Sequence, residues 1–261
     1  LVAGTDALMP DDILPHRRAG AGFPLVLVHG YLGGSEQWEA EIGHFSDRFD
    51  VIAPDLPGFG AAADLPALHR IGDMADAVIA LLDQLGIKRF VLLGHSMGGM
   101  IVQDMAAKLG DRISRLILYG TGPLGLMPDR FEPIELSQNR LCQDGVAKTA
   151  RRIGATWFCK GEQAPGFALV AKIGALAHNQ AALAGLEAMT HWDGRDALNS
   201  LTTPVLVIWG DSDKSYRWPQ VEMLWKTIPK ANLSVMPAAA HAAHLEKPDL
   251  FHSILDDFLA N

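Results

Sequence analysis

Apolar positions along the chain fall into two alternating kinds of segment. Short runs at residues 24–29 (PLVLVH), 50–54 (DVIAP), 90–94 (FVLLG), 113–119 (ISRLILY), 204–210 (PVLVIWG) and 233–236 are rich in β-branched residues, and most end in Gly or Pro. Runs of this length and composition predict buried parallel strands. Between them Ile71, Met74, Ala75, Val78, Ile79, Leu82 and Leu85 recur at three- and four-residue steps, the stripe of an amphipathic helix, and Gly86 supplies its left-handed stop. Residues 97–109 repeat the plan with Gly110 as the stop, and residues 245–259 predict a closing helix. Strand and helix in alternation predict an α/β fold with a doubly wound, mostly parallel sheet.

The alternation fails between residues 122 and 201, where helical segments rich in Ala, Leu and Met take over. This predicts two parts, a core of residues 1–121 and 202–261 and a helical cap of residues 122–201. Eight basic and eight acidic residues cancel within that insertion, so the net charge of −8 resides in the core. Its large apolar residues, Met127, Phe131, Trp157, Phe158, Phe167, Met189 and Trp192, need a surface to cover: one another, or the mouth of the sheet.

Composition then narrows the partners. With 261 residues, 49% hydrophobic and 20% charged, the chain is too apolar to be disordered and suits one large domain with an insertion. A charge of −8 leaves no basic excess for phosphates or anionic lipids, so neither nucleic acid nor a membrane surface is expected. A small molecule is the expected partner; an oligomer is possible, but nothing in the pattern marks one. No apolar run approaches the roughly 20 residues of a membrane span. Residues 1–12 lack the basic and apolar regions of a signal peptide. Cys142 and Cys159 lie outside any CxxC or Cys/His cluster, which fits a reducing compartment, the cytoplasm. No HExxH, paired acidic cluster, phosphate-binding loop or dinucleotide fingerprint occurs, so neither metal nor cofactor is expected.

The chemistry concentrates at Gly94-His-Ser-Met-Gly98, which ends an apolar strand and opens a helix. A serine flanked at two residues by glycines in that setting is a nucleophile elbow, and Ser96 is the expected nucleophile. A serine hydroxyl needs a base, and the base needs an orienting carboxylate. His241 follows the last strand in a loop that can reach over the sheet edge. His244 falls at the start of a helix and suits a supporting place, His29 suits a structural one, and His95 is expected to point away from Ser96. The loop after residues 204–210 offers Asp211 and Asp213, whereas Gly120-Thr-Gly-Pro123, after the preceding strand, has no acid. The oxyanion formed on attack is expected to meet the backbone N–H groups of Met97 and Tyr31.

Five separated motifs now stand in one order: His29-Gly30, Asp55-Leu-Pro-Gly-Phe-Gly60, Gly94-His-Ser-Met-Gly-Gly99, Gly210-Asp-Ser-Asp213, and His241 followed by Glu246 and Pro248. Together they resemble the α/β-hydrolase superfamily over nearly the whole chain. That resemblance implies Asp213 rather than Asp211 as the acid and His241 as the base, and makes residues 122–201 the family's helical cap. Two departures stand out: a short stretch before residue 24, where the family has an N-terminal hairpin, and Ala238-Ala-Ala240 where a glycine often precedes the histidine.

One scaffold of this kind hosts many reactions. Dehalogenases of the fold resemble a pattern with an aspartate nucleophile, ring-fission hydrolases often carry Asn before the serine, and proline aminopeptidases usually carry Trp there; this chain has His95-Ser96. What remains resembles a hydrolase of carboxylic esters or lactones with a small, mostly apolar substrate. Carbon–carbon hydrolysis, a lyase reaction on the same triad and a slowly turning ligand sensor are the alternatives. Trp157, His191 and Trp192 are candidate substrate contacts. Arg130, Arg140, Arg151 and Arg152 leave room for a carboxylate-bearing substrate, against the plainer reading of a solvated helix face.

Overall fold

The computed structural model of the chain describes residues 13–126 and 129–260. Among these, seven strands form one sheet: β1 (His16–Ala19), β2 (Phe23–Val28), β3 (Phe49–Pro54), β4 (Phe90–His95), β5 (Ile113–Tyr119), β6 (Val205–Gly210) and β7 (Ala231–Met236). Their spatial order is β1-β3-β2-β4-β5-β6-β7, parallel throughout except for β1, which runs antiparallel to β3. The helices are α1 (Glu39–Phe45), α2 (Ile71–Gln84), α3 (Met97–Leu109), α4 (Ile134–Asp144), α5 (Val146–Ala155), α6 (Phe167–Gly174), α7 (Asn179–Thr190), α8 (Trp218–Thr227), α9 (Ala243–Glu246) and α10 (Pro248–Ala260).

The two-residue period of the strands sorts their side chains into two cores. Val26, Val28, Leu92, Leu116 and Leu118 pack with the stripes of α2 and α3, whereas Leu25, Leu27, Val91, Leu93 and Ile117 pack with Phe45 of α1 and Phe251 and Leu255 of α10. A sheet covered on both faces explains strands that read as continuous apolar runs. Gly86 and Gly110 adopt φ of +72° and +50° just past α2 and α3, as helix stops.

Four elements depart from expectation. β1 went unpredicted because its four residues are mostly polar; a two-pronged ion pair of Arg18 with Asp50 (2.8 and 2.7 Å) anchors it at the sheet edge. The closing helix is broken in two at Lys247 (φ −141°, ψ 63°), because Pro248 lacks an N–H and forces its predecessor out of helical geometry. α1 and α8 are additional. Helices α4 to α7 occupy the connection between β5 and β6, and Gly174 of α6 and Gly185 of α7 sit against Leu32 and Tyr31, in the loop after β2. Met127 lies outside the described residues. Among the described residues no helix is long and apolar enough to cross a membrane.

Candidate active site

Backbone geometry dictates the turn at Ser96. The serine sits between β4 and α3 with φ +59° and ψ −121°, a conformation that L side chains rarely adopt. Its N–H donates to the Tyr119 carbonyl (3.0 Å), and its carbonyl accepts from Thr121 Oγ1 (2.8 Å) and the Gly99 N–H (2.9 Å). A Cβ on Gly94 would lie 2.3 Å from the Gly98 carbonyl oxygen, and one on Gly98 would lie 2.4 Å from that of Val28. Only glycine fits at either place. Gly30 is equally constrained, since a Cβ there would stand 2.7 Å from Ser96 Cβ.

Asp213 and His241 meet across the loops after β6 and β7. The Asp213 carboxylate is fully buried; Oδ2 accepts from His241 Nδ1 (2.8 Å), while Oδ1 accepts from the N–H groups of Ser215 (2.6 Å) and Tyr216 (3.2 Å). Asp211 is exposed and bonds its neighbour Ser212. The His241 carbonyl accepts from Tyr119 Oη (3.0 Å) and His95 Nε2 (3.0 Å). Because Nε2 of His95 faces a carbonyl, it carries the proton, and Nδ1 is left to accept from Gln37 (3.4 Å). Burial holds the His95 imidazole neutral, with the His241 ring next in effect. His95 thus braces the His241 loop beneath Ser96.

His244 shares the Tyr119 hydroxyl (2.9 Å from Nδ1), and burial lowers its pKa to about 4. His29 accepts from the Leu56 N–H at Nε2 (3.0 Å), so Nδ1 donates to the Gly30 carbonyl (2.8 Å); burial lowers its pKa as well. Both histidines are occupied in support.

Ser96 and His241 open onto one small cavity of about 20 Å³, room for roughly one water. Tyr31, Arg130, Ile153, Trp157, Met189, Ser215 and Tyr216 complete its wall. Met97 is buried at the first position of α3, and Tyr31 follows Gly30 in the loop after β2. Tyr216 stacks on the His241 ring (centroids 5.7 Å apart, 18° between planes), and Trp157 leans on it at 5.5 Å. Burial pushes both the Tyr31 and Tyr216 phenols well above their ordinary pKa. The segment between β5 and β6 also binds the His241 loop: the Ala242 N–H donates to the Trp157 carbonyl (2.9 Å), and the Glu246 carboxylate accepts from the N–H groups of Cys159 (2.7 Å) and Ala240 (2.6 Å).

Two candidate contacts do not belong to this cavity. Trp192 donates from Nε1 to Asp104 of α3 (2.9 Å), and it and His191 line a separate groove with His69, Arg70 and Glu187. The hydrogen bond to Asp104 ties Trp192 to α3, in a groove that Ser96 does not line. Phe158 and Phe167 pack edge to face, and Phe131 lies under the Arg130 guanidinium at 4.1 Å. The arginines are not one solvated face either. Arg140 and Arg152 bind the buried Glu132 carboxylate (2.7 and 2.8 Å), Arg130 binds its carbonyl, and Arg151 points outward to Glu162. Arg130, one of the four arginines the sequence offered for a carboxylate-bearing substrate, is the one that lines this cavity; sequence reasoning missed Ile153, Ser215 and Tyr216 as wall residues. The signal for the last two was their offset: N–H groups two and three residues after Asp213 fold back on its carboxylate.

The profile of the "Alpha/beta hydrolase family" matches residues 25–254. A pimeloyl-[acyl-carrier protein] methyl ester esterase of Legionella pneumophila (strain Paris) is 29% identical over 245 residues, covering 92% of this chain and 96% of its own. A 2-hydroxy-6-oxo-6-phenylhexa-2,4-dienoate hydrolase of Comamonas testosteroni is 29% identical over 96% of this chain and 92% of its own. The structure of a thermophilic esterase from Thermogutta terrifontis superposes with a TM-score of 0.86 at 28% identity, covering 95% of this chain and 93% of that one.

Proposed function

The chain belongs to the alpha/beta hydrolase family, and on that premise we propose that it is a cofactor-independent serine hydrolase cleaving a carboxylic ester or lactone through an acyl-enzyme. The observation that carries this reading is the buried Asp213–His241 pair, 2.8 Å apart, opening onto the cavity that Ser96 lines.

With Nδ1 engaged by Asp213, Nε2 of His241 is the nitrogen left to take the Ser96 proton. Ser96 Oγ adds to the substrate carbonyl, and the N–H groups of Met97 and Tyr31 hold the oxyanion. The imidazolium, steadied by Asp213, returns its proton to the departing alkoxide as the C–O bond breaks. Water then repeats the cycle on the acyl-enzyme and releases the acid. In this reading residues 1–121 and 202–261 are the catalytic core and residues 122–201 are a cap. Ile153, Trp157 and Met189 favour a small, mostly apolar acyl group, and the cap has to shift to admit it, since the cavity holds little more than a water.

A carbon–carbon hydrolase is the second reading, favoured by the likeness to the Comamonas testosteroni enzyme. Steady-state hydrolysis of a chain-length series of p-nitrophenyl esters, with Ser96→Ala as control, tests the first. Turnover lost in the variant supports it, and the preferred chain length sizes the site. Absence of turnover on every ester, with activity on a vinylogous diketone, moves the assignment to the second.

A further inference from the structure

Two hydroxyl donors without acceptors line the Ser96 cavity, and two guanidinium groups act on one of them. The Tyr31 and Tyr216 hydroxyls both line it, both residues are at most 3% exposed, and neither hydroxyl completes a hydrogen bond, although that of Tyr216 lies close to Ser96 and Thr121. Arg152 commits only Nη1, to both oxygens of Glu132; its Nε and Nη2 are buried without partners. Arg130 donates from Nη1 to the Glu132 carbonyl (2.7 Å) and Ser137 Oγ (3.0 Å), and among the described residues it forms no ion pair. Both guanidinium groups act electrostatically on the Tyr31 phenol, and burial lowers the pKa of Arg130.

Charge decides what these groups lack. Three arginines converge on Glu132, whose carboxylate is already filled by Ser137 Oγ, Arg140 and Arg152. Leaving a guanidinium short of partners in a buried place is costly, and an ester carbonyl offers acceptance without charge. A carboxylate offers about four acceptor positions together with the missing negative charge.

We propose that Tyr31 and Arg130, with the Arg152 charge acting behind them, form a recognition site for a carboxylate on the substrate, so that the molecule cleaved is an ester or lactone bearing a free carboxylate at the far end of its acyl chain. This rests on the serine-hydrolase reading above and names its substrate class. The apolar wall of Ile153, Trp157 and Met189 takes the methylene chain between the two ends.

Matched esters test it. Mono-p-nitrophenyl glutarate and adipate put a carboxylate where p-nitrophenyl pentanoate and hexanoate have a terminal methyl. Wild type is expected to favour the half-esters about tenfold or more in kcat/KM, the range of a charge-assisted contact. Arg130→Gln brings that ratio near unity, and Tyr31→Phe, which deletes one hydroxyl and keeps the backbone donor, lowers it severalfold. Both esters are read on one preparation, so a poorly folded variant loses both rates without moving the ratio. A wild-type ratio of one or less, or a ratio unmoved in both variants, overturns the site. Turnover that survives Ser96→Ala instead overturns the serine-hydrolase reading. Should neither ester be cleaved, thermal melting decides: a Tm raised by adipate but not by adipamide or sulfate, and not in Arg130→Gln, supports the site, and any other pattern overturns it.

Discussion

The two walls of the cavity are built on different principles. On the core side, position is fixed by backbone: Gly30, Gly94 and Gly98 leave no space for a Cβ, Ser96 is held at positive φ, and carbonyls and N–H groups grip the serine and the His241 loop. On the inserted side, position is fixed by side chains that fill space and balance charge, namely Ile153, Trp157, Met189 and the arginines around Glu132. A wall made of backbone tolerates few sequences; a wall made of side chains can be rewritten. The first suits chemistry that stays constant, and the second suits a substrate that changes.

The contrast can be broken at several points. The largest effect is expected from Ser96→Ala, which should lower kcat by about 10⁴-fold or more with little change in folding; a residual rate above a tenth of wild type would show the nucleophile to lie elsewhere. Asp213→Asn should cost roughly 10³–10⁴-fold, because the base loses its orienting anion, while the exposed Asp211→Asn stays near wild type. Equal losses in the two would undo the assignment of the acid.

Gly→Ala exchanges compare the walls directly. Gly98→Ala drives a Cβ to 2.4 Å from the Val28 carbonyl and should destabilise by about 3 kcal/mol in urea unfolding. Gly154→Ala, in α5, meets the tip of Val170 at 3.1 Å and the Phe167 ring at 3.9 Å, and its helix-propensity gain should keep it within about 1 kcal/mol of wild type. If both were equally damaging, the inserted segment would be as backbone-bound as the core. Smaller again, Met189→Ala should move the preferred acyl length upward and change relative kcat/KM across the ester series by about tenfold, as a few methylenes do.

The smallest effect concerns acid. The pKa of His244 is about 4 in the folded chain against 6.5 unfolded, so the unfolded state binds more protons between those values, and stability falls as pH drops through 6.5 toward 4. Between pH 7 and pH 6 the loss should be under about 1 kcal/mol, and His244→Gln should flatten that slope in thermal melts.

The same division explains how much the chain disclosed before its structure was considered. The strands, α2, α3 and the Ser96 turn were legible because glycine spacing and apolar runs are backbone requirements written directly as residues. β1 was not, being polar and held by a distant partner, Asp50. On the inserted side, Trp192 looked like Trp157 to composition alone. Only the location of the Asp104 carboxylate separates them, and no local pattern encodes it. Arg130 was noticed as a charge, but its place beside Ser96 depends on how α4 and α5 close on Glu132.

One carboxylate has a bearing on how such proteins can be recombined. Glu246 clasps Ala240 on one side and Cys159 on the other, while Trp157 and Ala242 are joined one step away. A chimera that transplants residues 122–201 from a relative therefore inherits a seam, and must present an N–H and a carbonyl at the same two heights. Where the donor segment fails to do so, the graft would unseat His241 as it alters the pocket. The region most open to replacement is thus stitched to the histidine that can least afford to move.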